Sequence, residues 1–282
     1  MSAALVDTIR QRLVALKMPF AMEALDGVVR RLEQGESSAL EAIETLLSEE
    51  LGFRETRRLK MALGTSRLMP LKTLETFDFS FQPSLDKERV LALAGLEFIH
   101  RGESVLFVGP PGVGKSHLAC ALGLAAVKAG KSVYRCTLAE LIDALALAHR
   151  SGTLAAKIRQ FARYSLLIID EIGFLPLPKE GANLFFQLVS ARYEKGAMIL
   201  TSNRTFSEWG EVFGNPVIAS ALLDRLLHHA VVIGIEGASY RLREHRDLLQ
   251  QDEKNASPAA TVRKKRGRPR KQKMEASIYN PD

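Results

Sequence analysis

The feature that most constrains this chain is the eight-residue segment Gly109–Ser116, which reads GPPGVGKS and fits the pattern G-x-x-x-x-G-K-[ST]. An apolar stretch, Ser104–Val108, comes directly before it, and a helical pattern begins at His117. A strand, a glycine loop and a helix in this order predict a phosphate-binding loop. A simple Gly-Pro turn that joins a strand to a helix is the alternative.

The residue types in this loop suit a bound phosphate chain. Glycines allow backbone N–H groups to surround an anion, and the N-terminus of the following helix adds its positive end. We therefore expect Lys115 to reach the outer phosphates and Ser116 to bind Mg²⁺.

Length and composition place few limits on the rest of the chain. The 282 residues, 46% of them hydrophobic, suffice for one mid-sized domain with extensions. The N-terminus carries charges within its apolar pattern, unlike a signal peptide, and the apolar runs are too short for a bilayer. Cys120 and Cys136 have no metal or redox spacing. We expect a cytoplasmic protein that does not use a membrane.

The positive charge is concentrated in one segment near the C-terminus. The net charge is +7, yet residues 263–273 contain eight Lys or Arg and no acid. Such a block is typical of a disordered interaction arm, and we predict a flexible basic tail over residues 249–282. Within it, Arg266, Gly267, Arg268 and Pro269 resemble an AT-hook core that lies in a narrow minor groove. A nonspecific polybasic tail is the alternative.

Helical spacing of apolar residues dominates the first part of the chain and predicts a small all-helical domain over residues 1–68. Ser38 and Glu41 have the spacing of a capping box. Residues 64–70 indicate a linker, and residues 88–99 indicate one amphipathic helix.

Apolar strands alternate with helical patterns from Gly102 onward, within a predicted domain of residues 69–248. The predicted strands are 105–108, 132–137, 166–170, 197–202 and 231–235. The predicted helices between them are 116–129, 138–147, 153–163 and 182–194. This alternation predicts an α/β fold in which a five-stranded parallel sheet lies between helices, with the ligand at the carboxyl ends of its strands.

Two adjacent acids follow the third predicted strand. Asp170 and Glu171 come directly after four apolar residues. Asp170 is suited to hold a metal ion or its water, and Glu171 to orient and deprotonate an attacking water. A strand end that is merely capped by acids is the alternative.

Two further positions are candidates for phosphate chemistry. Asn203 ends another buried strand, where its amide is suited to contact the γ-phosphate or the attacking water; a turn that starts at Asn is the alternative. Arg225 follows Asp224 inside an apolar helix, and either completes a neighbouring subunit's site as an arginine finger or forms a salt bridge.

Five segments together resemble the IstB-like helper ATPases of bacterial insertion sequences, which belong to the AAA+ superfamily and are related to DnaC-like helicase loaders. The resemblance covers about residues 5–246. It is carried by GPPGVGKSHLA (109–119), LLIIDEIGFLP (166–176), ILTSNRTFSEW (199–209), ALLDRLLHHA (221–230) and EGASYRLRE (236–244).

The resemblance implies a helical N-terminal domain, for contacts with DNA, partner or other subunits, followed by an AAA+ core. It implies that the protein binds ATP and Mg²⁺, forms a ring or spiral on double-stranded DNA, and delivers target DNA to a cognate transposase. The implied ATP-binding residues are Gly109, Pro110, Pro111, Gly112, Val113, Gly114, Lys115, Ser116 and His117.

The same resemblance assigns the other roles. Ser116 and Asp170 would hold the metal, and Lys115, Asp170, Glu171, Asn203 and Arg225 would be catalytic, Arg225 in trans. In the loaders another Arg stands four residues before the finger, whereas here that position is Ala221. This departure weakens the loader interpretation.

A second candidate DNA-binding segment lies between the second and third predicted strands. Arg150, Lys157 and Arg159 would meet phosphates in the interior of a ring, or else form an ordinary charged surface. Four functions stay open at this stage: a transposition helper, a replicative helicase loader, a small-molecule P-loop kinase, and a clamp that uses ATP only to assemble.

Overall fold

The computed structural model describes residues 3–175, 177–178 and 180–243. Its α-helices are α1 Ala3–Ala15, α2 Pro19–Glu33, α3 Ala39–Ser66, α4 Lys87–Leu93, α5 Glu97–His100, α6 Lys115–Lys128, α7 Leu138–Arg150, α8 Leu154–Ala162, α9 Gly181–Arg192, α10 Trp209–Val212 and α11 Pro216–Leu227. Its strands are β1 Ser104–Val108, β2 Val133–Thr137, β3 Leu166–Ile172, β4 Ala197–Ser202 and β5 Ala230–Gly234. The predicted strands and core helices are confirmed, with ends that differ by at most three residues.

The five strands form one parallel sheet in the order β2-β3-β4-β1-β5. The prediction of a five-stranded parallel sheet between helices is therefore confirmed. In this order β1 lies between β4 and β5, and β3 lies next to β4. The loops that follow β1, β3 and β4 consequently open at one edge of the sheet, which brings the sequence-predicted site residues close together.

Alternate residues of the strands build two separate hydrophobic cores. Val105, Phe107 and Ile168 point to one face, where α6 and the segment before β1 cover them. Leu106 and Ile169 point to the opposite face, which is covered by α7, α9 and α11. A parallel sheet buried on both faces explains the nearly continuous apolar strands of this sequence.

The first three helices confirm the all-helical prediction, including the capping box in which Ser38 accepts from the Glu41 N–H and the Glu41 carboxylate accepts from the Ser38 N–H. The linker predicted from Gly64 was wrong in its first part, because α3 runs on to Ser66. Helix α3 ends where Arg67 adopts a left-handed conformation with φ of +58°.

Apolar contacts explain why α3 is longer than its glycine suggests. Leu59, Ala62 and Leu63 pack against the core on the α6 side of the sheet, and Leu68 is buried in it. Tertiary packing of this kind outweighs the modest cost of one glycine inside a helix.

The single helix predicted over residues 88–99 was wrong. The chain forms α4 and α5, separated at Gly95 and Leu96, and Leu96 has a φ of +64°. Leu96 is buried, so its burial in the core offsets a backbone conformation that a leucine rarely adopts. Among the described residues, no helix combines the length and apolar character needed to cross a membrane.

Candidate nucleotide-binding site

The predicted phosphate-binding loop joins the carboxyl end of β1 to the first turn of α6. Gly112 and Gly114 have φ angles of +84° and +102°, which glycine adopts without steric cost. Contacts also restrict both positions: a Cβ on Gly114 would lie 2.5 Å from the Phe77 ring, and a Cβ on Gly112 would overlap the Ser239 side chain. The loop is thus held between the segment before β1 and the segment after β5.

Lys115 lies within the loop that it is predicted to serve. Its Nζ donates to the carbonyl oxygens of Gly109 and Pro110, each at 2.7 Å, and the residue is 8% exposed. The ammonium group is therefore positioned at the mouth of the loop, where an anion bound by the backbone N–H groups would meet it.

Asp170 is the buried centre of the site. Its Oδ1 accepts hydrogen bonds from Ser116 Oγ at 2.7 Å, from Thr201 Oγ1 and from the Glu171 N–H at 3.2 Å, and its Oδ2 accepts from Arg135 at 2.6 Å. Burial by itself raises the pKa of this carboxyl group. The hydrogen bonds from Thr201, Arg135 and Ser116 outweigh burial and hold the Asp170 pKa below its ordinary value. Asp170 is consequently an anion.

Glu171 differs from its neighbour because β3 is irregular where the two acids stand. The register of β3 with β4 shifts between Ile169 and Ile172, and Glu171 has a φ of +65°. Its N–H donates to Thr201 Oγ1 at 3.1 Å, and its side chain is exposed. A buried acid and an exposed acid thus stand side by side. The metal-holding role of Asp170 and the water-activating role of Glu171 stay predictions.

Asn203 follows β4 and belongs to the same edge of the sheet. With its amide nitrogen turned toward β3, Asn203 donates to the carbonyl oxygens of Ile172, at 2.9 Å, and Gly173, at 3.2 Å. The amide is therefore held against the end of the strand that carries Asp170 and Glu171. Its role as a phosphate or water contact stays a prediction.

His117 contacts the segment before β1. Its Nε2 is 2.8 Å from the carbonyl oxygen of Thr73, and its ring packs edge-on to Phe77. Burial, together with the charge of Lys72, lowers the His117 pKa despite the hydrogen bond to Thr73. His117 fastens the start of α6 to this segment, and contact with a nucleotide stays a prediction.

Arg225 lies away from the loop. It lines a pocket together with Ser104 and Met198, which stand at the beginnings of β1 and β4, whereas the phosphate loop follows the end of β1. Its guanidinium donates to Ser190 Oγ and lies over the Phe186 ring, with 4.3 Å to the ring centroid. The structure therefore does not bring Arg225 together with the other predicted catalytic residues of the same chain.

Two residues of the site were missed by the sequence analysis. Thr201 lies inside an apolar strand, and Arg135 lies in β2, 35 residues before its partner Asp170. A polar residue in an otherwise apolar stretch was a signal for Thr201, whereas Arg135 lies in a partly buried edge strand that also contains Tyr134 and Thr137 and gave no such signal.

The candidate DNA-binding residues have different surroundings. Arg150 and Arg159 are exposed, and Lys157 is half-buried with its ammonium 5.2 Å from the Phe161 ring centroid. Arg266, Gly267, Arg268 and Pro269 lie outside the described residues. Binding of DNA by either group stays a prediction.

The donor set around Asp170 fits Mg²⁺. This ion prefers oxygen ligands in octahedral geometry and is bound in phosphate-binding sites by one or two protein oxygens together with phosphate oxygens and waters. Ser116 supplies a hydroxyl oxygen and Asp170 a carboxylate, and the two oxygens are 2.7 Å apart at the mouth of the loop.

Comparison with known proteins gives the family. The family described as IstB-like ATP binding protein matches residues 11–248. A putative ATP-binding protein of insertion sequence IS21 from Pseudomonas aeruginosa is 45% identical over 82% of this chain and 87% of its own length. The corresponding putative ATP-binding protein of IS5376 from Geobacillus stearothermophilus is 41% identical over 84% of this chain and 94% of its own.

Solved structures give the fold. The chain resembles AMPPCP-bound DnaA from Aquifex aeolicus with a TM-score of 0.51 and 24% identity, over 67% of this chain and 57% of that one. The match thus spans little more than half of that structure. The family match, the parallel sheet and the phosphate loop agree with one another, so the chain belongs to the IstB-like ATP-binding proteins and has an AAA+ fold.

Proposed function

We propose that this chain is a DNA-dependent ATPase that assembles on double-stranded target DNA and delivers it to the transposase of an insertion sequence. The observation that carries the hydrolytic part is the pair Asp170 and Glu171, one buried beside Ser116 and one exposed next to it. The relatives named as insertion-sequence ATP-binding proteins support the transposition part.

In this proposal each side chain has one task. Lys115 holds the outer phosphates of ATP, and Ser116 and Asp170 hold Mg²⁺. The metal ion, when bound, neutralises charge that develops on the phosphate oxygens. Glu171 accepts a proton from a water molecule as the water oxygen bonds to the γ-phosphorus, the bond to the bridging oxygen breaks, and ADP and phosphate result. Asn203 fixes the end of β3 and the water beside it.

The position of Arg225 supports action between subunits. A strand of five residues spans about 15 Å, and Arg225 lines a pocket at the beginning of strands whose ends carry the loop. The side chain therefore cannot complete its own site. We propose that Arg225 reaches the ATP of a neighbouring copy, so that a ring or spiral is the active form.

The same proposal gives three segments of the chain different roles. Residues 1–68 provide contacts with DNA or partners, residues 69–248 form the ATPase, and residues 249–282 add a basic arm. Assembly on DNA would then require ATP, and hydrolysis would release the DNA to the transposase in the cytoplasm.

A Glu171→Gln variant tests the hydrolytic part. Loss of the general base is expected to lower ATP turnover with duplex DNA by about 10²- to 10⁴-fold, while ATP and DNA still bind. Glu88→Gln, which removes an exposed acid from α4, serves as the control. Equal turnover in Glu171→Gln and wild type would remove Glu171 from the mechanism.

Mixing two inactive variants tests action between subunits. Lys115→Ala disables the chain's own ATP site but keeps Arg225 for the neighbouring site. Arg225→Ala keeps the chain's own loop intact but cannot complete the neighbouring site. A mixture of the two is expected to recover part of the turnover that each lacks. A mixture as inactive as its components would contradict a finger in trans.

A further inference from the structure

Asp170 has a cationic partner within this chain. Asp170 is 1% exposed, and its Oδ2 lies 2.6 Å from a guanidinium nitrogen of Arg135. The other carboxylate oxygen accepts from Ser116, the second proposed metal ligand. Arg135 thus contacts Oδ2 of Asp170, the oxygen that Ser116 leaves open, on the carboxylate that the proposed function assigns to Mg²⁺.

The sheet fixes Arg135 in this position. Arg135 of β2 pairs with Ile168 of β3, and Asp170 follows two residues later, so all three side chains belong to the face covered by α6. Asp170 therefore lies within reach of a long side chain on the neighbouring strand. Arginine spans this distance and still offers N–H groups to a carboxylate.

The surroundings of Arg135 show that Asp170 is its main partner. The side chain is 25% exposed, and its Nε is buried without a hydrogen-bond partner among the described residues. A guanidinium stays protonated in proteins, so Arg135 places a full positive charge beside the proposed metal site.

We propose that Arg135 is a built-in counter-cation for Asp170, which holds this carboxylate beside Ser116 and sets the Mg²⁺ concentration that the site requires. The inference rests on the proposed function. A guanidinium at Oδ2 stabilises the buried anion without a metal ion, and its positive charge disfavours a second cation at the same carboxylate. Arg135 is a positioning residue in this scheme.

Mg²⁺ titration of full-length protein with a fluorescent, slowly hydrolysed ATP analogue tests the proposal. We expect Arg135→Gln to lower the apparent dissociation constant for Mg²⁺ by roughly tenfold at pH 7.5, because a like charge near the metal is removed. Arg135→Lys keeps a point charge and should stay within about threefold of wild type. Arg89→Gln, which removes an exposed charge on α4, should change nothing.

Thermal unfolding supplies a readout that needs no catalysis. In EDTA, Arg135→Gln should melt below wild type because Asp170 is left buried without its counter-charge. Addition of Mg²⁺ and the analogue should then raise its melting temperature more than that of wild type. A merely structural arginine would lower the melting temperature without this larger response to Mg²⁺.

A double-variant comparison keeps the test valid if Arg135→Gln folds poorly. Arg135→Gln combined with Asp170→Asn removes both charges and should be more stable than Arg135→Gln alone. In the Asp170→Asn background, position 135 should no longer affect Mg²⁺ affinity.

Unchanged or weaker Mg²⁺ affinity in Arg135→Gln would overturn the counter-cation, as would an equally large effect in the Asp170→Asn background. If wild type binds the analogue but substitution of Arg135 leaves the apparent dissociation constant for Mg²⁺ unchanged, the counter-cation inference fails and the proposed function stands. If wild type does not bind the analogue at any Mg²⁺ concentration, the proposed function fails.

Discussion

The guanidinium of Arg225 lies over the ring of Phe186, 4.3 Å from the ring centroid. Ser190 follows Phe186 by one turn on helix α9 and accepts a hydrogen bond from the same guanidinium. The candidate finger is therefore held by α9 before any neighbouring subunit arrives, and holding a side chain in advance lowers the entropy that it loses on binding.

Replacement of Phe186 by Leu should weaken this arrangement. A cation–π contact contributes about 0.5–2 kcal/mol, so we expect DNA-stimulated turnover to fall by about 2- to 30-fold. Affinity of the dilute protein for ATP should stay the same. Phe206→Leu, at another half-buried phenylalanine, is the control, and equal turnover in both variants would contradict a role of Phe186 in positioning Arg225.

Thr201 links the two acids, since its hydroxyl donates to Asp170 and accepts from the Glu171 N–H. Thr201→Val keeps the shape of the side chain and removes both bonds. We expect a fall in kcat of at least tenfold with a smaller change in KM, because loss of two hydrogen bonds releases the backbone that positions Glu171. Steady-state kinetics check this, and an effect confined to KM would contradict it.

Two glycine substitutions should have opposite effects. Gly114→Ala places a methyl group 2.5 Å from the Phe77 ring at a φ of +102°, so we expect loss of nucleotide binding. Gly64 lies in α3 with no atom within 4 Å of an added Cβ, and Gly64→Ala should stabilise the protein by about 0.5–1 kcal/mol. Nucleotide titration and denaturant unfolding measure the two effects.

Glu50 gives the N-terminal helices a dependence on pH. It is 3% exposed, and its carboxylate accepts from the Phe20 N–H and pairs with Arg54 at 2.8 Å. Burial raises its pKa, but the hydrogen bonds from Arg54, Phe20 and Ala21 outweigh burial and lower the pKa below 4.5. Because the folded-state pKa is lowered, this stabilisation is fully present above pH 4.5 and is lost as the pH falls through the folded value.

A Glu50→Gln variant should therefore melt below wild type at pH 7, and the difference should shrink as the pH falls below 4.5. Glu49→Gln changes an exposed neighbour and serves as the control. A difference in melting temperature that does not depend on pH would contradict the role of the Glu50 charge.

Deletion of residues 258–282 tests the basic tail. We expect weaker binding of duplex DNA and a shallower dependence on salt, with an upper limit of about −7 for the slope that eight phosphate contacts would contribute. Binding isotherms over a series of salt concentrations measure both quantities. Unchanged affinity and slope would exclude the tail as a DNA contact.

Local sequence signals were sufficient for the sheet and for the loop. The apolar strands, the glycine pattern and the capping box at Ser38 depend on residues close together in the chain, and all were predicted. Arg135 and Thr201 were not, because their importance depends on Asp170, which lies 35 and 31 residues away in the sequence. The break at Leu96 was missed for the same reason, since distant core contacts offset its unfavourable backbone conformation.

One rigid element joins the N-terminal helices to the ATPase core. Helix α3 has 28 residues and is about 42 Å long; Phe53, near its middle, stacks on Phe20 of α2, and Leu59 and Leu63, near its end, pack on the core. It can act as a lever arm. A rotation of about 10° at the core would move its far end by about 7 Å, the rise of roughly two base pairs of duplex DNA. A small rotation where α3 contacts the core is thereby enlarged into a displacement of several ångströms at the N-terminal helices.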